Sequence, residues 1–116
     1  MLRRLIIAIA ALVMSGAAAH AASCYISEFN IALPAGAQIA TVPPVVVQTP
    51  ITIGASTQSA VFNADTKMVR IVCDATAAIV FGTNPTATVA TGIPISTEST
   101  EYFGVRTGDR VAVITR

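Results

Sequence analysis

The sequence predicts an all-β protein: a small antiparallel β-sandwich or jelly-roll-like domain of about eight short strands, preceded by a cleavable hydrophobic leader. Three observations point there. Residues 22–116 hold 12 Val, 10 Ile and 14 Thr but a single Leu, Leu33, and a single Lys, Lys67. β-branched side chains pack well on a pleated surface, whereas helices favour Leu, Lys, Glu and Gln. Gly, Pro, Asn and Asp recur at short intervals, the spacing of turns in a sandwich or barrel. Lys67–Asp74 alternates with period two, so Val69, Ile71 and Cys73 share one face and Met68, Arg70, Val72 and Asp74 the other.

In chain order, residues 1–21 read as a leader. Arg3 and Arg4 precede an unbroken apolar run from Leu5 to Met14, which is too short for a stable membrane anchor. Ser15 and Gly16 break the run, and small residues lead to Ala19-His20-Ala21. That is the A-x-A pattern whose small side chains, Ala19 and Ala21, fit a signal peptidase. Residues 22–116 then form one domain.

Cys24–Leu33 is the first candidate strand, with Tyr25, Ser27, Phe29 and Ile31 alternating against Ile26 and Glu28; Pro34-Ala35-Gly36 ends it. Val42-Pro43-Pro44 followed by Val45–Val47 predicts an extended edge, because proline cannot donate to a ladder. Ile51 and Ile53 before Gly54, and then Ser59–Phe62, are two further short strands. Asn63–Thr66 is a turn by composition. Lys67–Asp74 and the apolar run Ala77–Phe81 follow, the latter expected to be central. The Gly82–Thr88 segment is a loop, marked by Gly82 and Asn84-Pro85. Ile93–Ser96 and Tyr102–Arg106 are strands, and Thr107-Gly108-Asp109 turns the chain into Arg110–Ile114.

Chemistry is limited by what is missing. Charged residues make up 11% of the chain, against roughly 25% in an average globular protein, and the formal net charge is +1. No strong basic field exists to hold nucleic acid. Without Arg3 and Arg4, Lys plus Arg falls from 7 to 5 against 6 acids, a net charge of −1. The single histidine, His20, leaves with the leader, and with it every imidazole general base. Structural zinc needs four Cys or His ligands, and only Cys24 and Cys73 remain. The six acids are spread along the chain and read as solvated. No catalytic residue, metal site, cofactor or small-molecule substrate is therefore expected.

Cys24 and Cys73 are an even pair, and two readings stay open. They form a disulfide closing a long loop, or Cys73 is a small buried hydrophobe and Cys24 a free thiol. Low charge also allows two readings: a surface partly covered by a partner or by copies of the chain, or a neutral surface rich in Ser and Thr. Loops carry recognition on rigid sheets, so Gly82, Thr83, Asn84, Pro85 and Thr86, with Thr107, Gly108, Asp109 and Arg110, are the candidate partner contacts. Membrane contact is expected only through the transient leader.

The segments YISEF (25–29), QSAVFNADTKMVRIVCD (58–74), FGTNPTAT (81–88) and EYFGVRTGDRVAVI (101–114) resemble a group of small β-rich proteins of tailed phages and prophages. The resemblance spans nearly all of residues 22–116. It implies a non-enzymatic, virion-associated structural or decoration protein, whose partners are virion proteins or further copies of itself. It supplies no catalytic residues. Thr107 stands where such proteins more often have Pro, a mild change at a turn. The leader is the larger departure, because phage structural proteins assemble in the cytoplasm. A start at Met14 would remove most of the leader and place the protein in the virion or cytoplasm. With the leader genuine, the alternative is an exported bacterial β-sandwich protein, periplasmic or secreted.

Overall fold

The computed structural model describes residues 21–30 and 44–116. The leader up to His20 with Ala19, the Met14 start, the Ile31–Leu33 end of the first expected strand, its Pro34–Gly36 stop and Val42-Pro43 of the expected edge fall outside the described residues. Among the described residues are nine short strands, all paired antiparallel, in two packed sheets. Sheet A contains β1 (Ser23–Phe29), β2 (Val46–Val47), β3 (Ile51–Thr52), β5 (Met68–Cys73) and β8 (Thr100–Gly104), with the order β2-β1-β5-β8 and β3 also on β1. Sheet B has the order β4-β9-β6-β7, from β4 (Thr57–Gln58), β9 (Arg110–Thr115), β6 (Ala77–Gly82) and β7 (Ile93–Ile95).

The period-two pattern decides which side chains meet. Val69, Ile71 and Cys73 of β5 are fully buried, beside Cys24 and Ile26 of β1. Ala77 and Ile79 of β6 and Val111 and Val113 of β9 face them from sheet B, joined by Ile95 and Phe62 in one apolar cluster. Burying such side chains gives about 1.5–3 kcal/mol each before the entropy of ordering the chain opposes it. β6 is an inner strand, as its unbroken apolar run requires. A row of aromatic rings continues the core toward one end: Phe62 to Phe81 at 6.3 Å between centroids and Phe81 to Phe103 at 5.1 Å, both tilted.

Three expectations need correction. Ser59–Phe62 is not a strand; the ladder with β9 covers Thr57–Gln58 and stops. Ser59 still donates its N–H to the Val111 carbonyl, but the Val111 N–H turns to Ser59 Oγ at 3.0 Å. A side chain has taken the place of a carbonyl, which ends regular pairing. The strand expected at Tyr102–Arg106 runs instead over Thr100–Gly104, because Glu98, at φ 60°, carries the chain onto β5 earlier. Glu28, expected among the solvated acids, is 1% exposed. It shares the inward face of β1 with Cys24 and Ile26, which are likewise buried.

Gly92 lies just before β7, packed against β6. A Cβ there would lie 2.7 Å from the Ala78 Cβ and 2.8 Å from the Thr88 carbonyl oxygen. Neither neighbour is the free end of a flexible side chain. Gly92→Ala is expected to destabilise by about 1–3 kcal/mol, measured by urea unfolding.

Candidate functional site

The strand ends gather three connections at one end of the sandwich. Gly82 closes β6 directly opposite Arg110, which opens β9, and Met68 of β5 lies opposite both Phe29 of β1 and Gly104 of β8. The β6–β7 loop, the β8–β9 turn and the Asn63–Thr66 turn therefore lie together. Gly108 takes φ 86° in the β8–β9 turn, a conformation that glycine adopts without steric cost.

Side chains tie these connections down. Gln58 of β4 donates from Nε2 to Asn84 Oδ1 at 2.9 Å and to the Pro85 carbonyl at 2.7 Å. Its Oε1 accepts a longer bond from Arg110 Nη1 at 3.4 Å, while Arg110 Nε is buried without a partner. Thr107 Oγ1 reaches the Ala64 carbonyl at 3.4 Å, and Phe62 N–H donates to the Asp109 carbonyl at 2.9 Å.

Of the nine loop residues picked from sequence, Thr83, Asn84, Thr86, Thr107 and Gly108 are exposed. Pro85 is buried, and Gly82 and Arg110 are half-buried members of β6 and β9 rather than loop residues. Asp109 is half-buried. The exposed residues among these nine are neutral and polar, hydroxyls, an amide and backbone; Asp65 and Arg106, exposed in the adjoining turns, add one charge of each sign. Nothing in the spacing of Gln58 marks it as a residue that bridges segments 26 and 52 positions away. Gln58→Ala is expected to cost about 1 kcal/mol and to speed hydrogen exchange and proteolysis around Asn84, while the core amides keep their protection.

Beneath the Asn63–Thr66 turn, Glu28 accepts three hydrogen bonds. Asn63 N–H and Thr66 Oγ1 both donate to Oε1 at 2.7 Å, and Gln48 Nε2 donates to Oε2 at 3.1 Å. Gln48 also donates to the Ala60 carbonyl at 3.3 Å. A cleft of about 670 Å³ opens beside them, between β2–β3 and β4, lined by Val47, Gln48, Gln58, Ser59 and Val61 among others. Glu28 is its one ionisable lining residue among the described residues, and its carboxyl is already committed to donors within the protein. A second groove, about 480 Å³, runs along β8 between Phe103, Phe81 and Ile93.

At the opposite end, Cys24 and Cys73 are joined in a disulfide across β1 and β5. Asp74 N–H donates to the Ser23 carbonyl at 2.9 Å, so the neighbouring cysteine pair falls at a position without ladder bonds, where side chains stand closest. Asp74 Oδ2 also accepts from Ser23 N–H at 3.2 Å and from the Tyr25 hydroxyl at 3.4 Å. Among the described residues no three His, Cys, Asp or Glu side chains group as metal ligands, and no helix is long and apolar enough to cross a membrane. Comparison with known proteins returns no matching family model, no matching curated protein and no matching solved structure.

Proposed function

We propose that this chain is a non-enzymatic contact module, a virion-associated structural or decoration protein of phage or prophage type. The observation that carries the reading is the loop cluster: exposed neutral residues Thr83, Asn84, Thr86 and Thr107 on a frame fixed by Gln58, Glu28 and two sheets. A rigid polar surface binds a protein partner with little ordering cost. The resemblance in segments 58–74, 81–88 and 101–114 supports virion proteins as the partner. The winding changes sheet after β3, β4, β5, β7 and β8, which supports a jelly-roll-like description of the sandwich.

The test uses particles induced from the strain that encodes the chain. Folded protein is expected to co-sediment with the virions at a fixed ratio. A Thr83→Arg, Thr107→Glu variant, which unfolds at the same urea concentration, is expected to lose that binding. Virions free of the protein, with no uptake of added protein, would overturn the reading.

A second reading is an exported bacterial protein, processed after Ala21. The Cys24–Cys73 disulfide favours it, since such bonds persist in oxidising compartments. Intact mass of the native protein separates the two. An N-terminus at Ala22 supports export, and one at or just after Met14 supports the cytoplasmic route.

A further inference from the structure

We infer that Gln48 and Thr66 are a self-cross-linking pair: the Thr66 hydroxyl displaces ammonia from the Gln48 amide, with Glu28 as the base, and an ester then joins the two side chains. The inference goes beyond the contact reading above and does not depend on it. Burial is the first observation. Glu28 and Thr66 are each 1% exposed and Gln48 is 8% exposed. They come from three parts of the chain: Glu28 from β1, Gln48 from the residue after β2, and Thr66 from the turn before β5. Thr66 Oγ1 donates to Oε1 of Glu28 at 2.7 Å, and Gln48 Nε2 donates to Oε2 at 3.1 Å. A hydroxyl and a primary amide thus stand one carboxyl group apart, each on its own oxygen.

That arrangement suits a group acting first as base and then as acid. A general base must lie within hydrogen-bond reach of the proton it removes, and Oε1 meets this at Thr66. Once protonated, the same carboxyl group faces the nitrogen that has to leave. Its three donors are all neutral, so none of them ties up its charge. Asn63 N–H, on Oε1 at 2.7 Å, fixes the carboxyl group, and Thr66 N–H donates to the Asn63 carbonyl at 3.0 Å, which fixes the nucleophile. Gln48 holds the Ala60 carbonyl more loosely, at 3.3 Å, so its amide is the partner that moves. Rotation of that side chain carries Cδ toward Oγ1, and attack begins from a separation of roughly 3–3.5 Å.

The step balances without a further reagent. Glu28 takes the hydroxyl proton, Thr66 Oγ1 adds to Gln48 Cδ, and the proton passes to Nε2. The Cδ–Nε2 bond then breaks and ammonia departs, with the Glu28 carboxylate regenerated. Gln48 lines the cleft of about 670 Å³ between β2–β3 and β4, which gives ammonia a way out to water. Burial keeps water away from the new ester. Among the described residues both bonds of the Gln48 amide are made by Nε2 and no donor meets Oε1, where negative charge collects during attack. A missing oxyanion donor costs about 10²–10³ in rate. Newly folded chain therefore carries the hydrogen-bonded form, and the ester accumulates slowly.

Intact mass tests this: the full chain is incubated folded and oxidised at neutral pH for a week, and samples are reduced just before measurement. Wild type is expected to lose about 17 Da, the mass of ammonia, and fragmentation should place the loss between Gln48 and Thr66. Mild alkali on the unfolded product should add water back and leave a carboxyl group at position 48. Thr66→Ser keeps a hydroxyl and should convert as wild type does. Thr66→Val lacks the nucleophile and Glu28→Gln lacks the base; both should keep their full mass, with circular dichroism showing that each is folded. A wild type that keeps its full mass for the week overturns the inference. So does a gain of about 1 Da, which is deamidation, or a loss of about 18 Da, which puts the ester on Glu28 itself. An equal loss of ammonia from Thr66→Val would place the reaction elsewhere and overturns it too.

Discussion

Replacing Cys24 and Cys73 together by alanine is expected to remove about 4 kcal/mol of stability. The bridge joins residues 49 apart. In the chain-entropy model, closing a loop of that length in the unfolded chain is worth about 4 kcal/mol. A domain of this size has roughly 5–15 kcal/mol in all, so the loss leaves it close to unfolding. Each kcal/mol moves the melting temperature by about 4–8 °C in a domain of this size, giving a drop of roughly 15–30 °C. Both cysteines are fully buried in the cluster between the sheets. The serine pair should therefore be worse than the alanine pair, because it buries two hydroxyls in apolar surroundings. Burial also governs the kinetics. Thiol attack needs access to a sulfur, so reductant under native conditions should act only as fast as the sheets open. Thermal melts of oxidised wild type and both double variants check the order. An alanine pair within about 1 kcal/mol of wild type would show that the bridge constrains little in the unfolded chain.

What could be read from sequence was what repeats locally. Lys67–Asp74 announced its two faces because one neighbour-to-neighbour rule, alternation, sets them. The apolar run Ala77–Phe81 announced an inner strand, and the prolines near Val45 announced an edge. Spacing does not decide the disulfide, since it does not say which strands become neighbours. Glu28 and Gln58 were illegible for the same reason, more strongly. Their partners lie 20 to 38 and 26 to 52 positions away, and a carboxylate read without its partners is most often a solvated one. The end of the Thr57–Gln58 ladder depends on a single Ser59 hydroxyl, which composition does not distinguish from any other serine. At the loop cluster, sequence found the turns but not which of their residues belong to strands. Pro85, Gly82 and Arg110 support the surface on which Thr83, Asn84 and Thr107 are displayed.

Glu28→Ala is expected to cost about 3–5 kcal/mol, because the carboxyl group is the common acceptor for three donors, two of them on the buried residues Thr66 and Gln48. Truncation also leaves a cavity under the Asn63–Thr66 turn. Glu28→Gln separates the two contributions. Its amide oxygen can still accept from Asn63 N–H and Thr66 Oγ1, but its NH₂ group then faces the NH₂ of Gln48, so a loss of about 1–2 kcal/mol remains. The pair can be apportioned by a double-mutant cycle with Gln48→Ala, read from urea unfolding. If Gln48 is held inward by the carboxyl group, the Gln48→Ala loss should shrink by about 1–3 kcal/mol when Glu28 is already alanine. The effect should also be local in a second measurement. Hydrogen exchange at Asn63 and Thr66 should rise in Glu28→Gln, while Val69 and Ile71, deeper along β5, keep their protection. Strictly additive losses, with no change at Asn63, would mean that Glu28 fills space without organising the turn. The rigidity assigned to that end of the sandwich would then have to come from Gln58 and the two sheets alone.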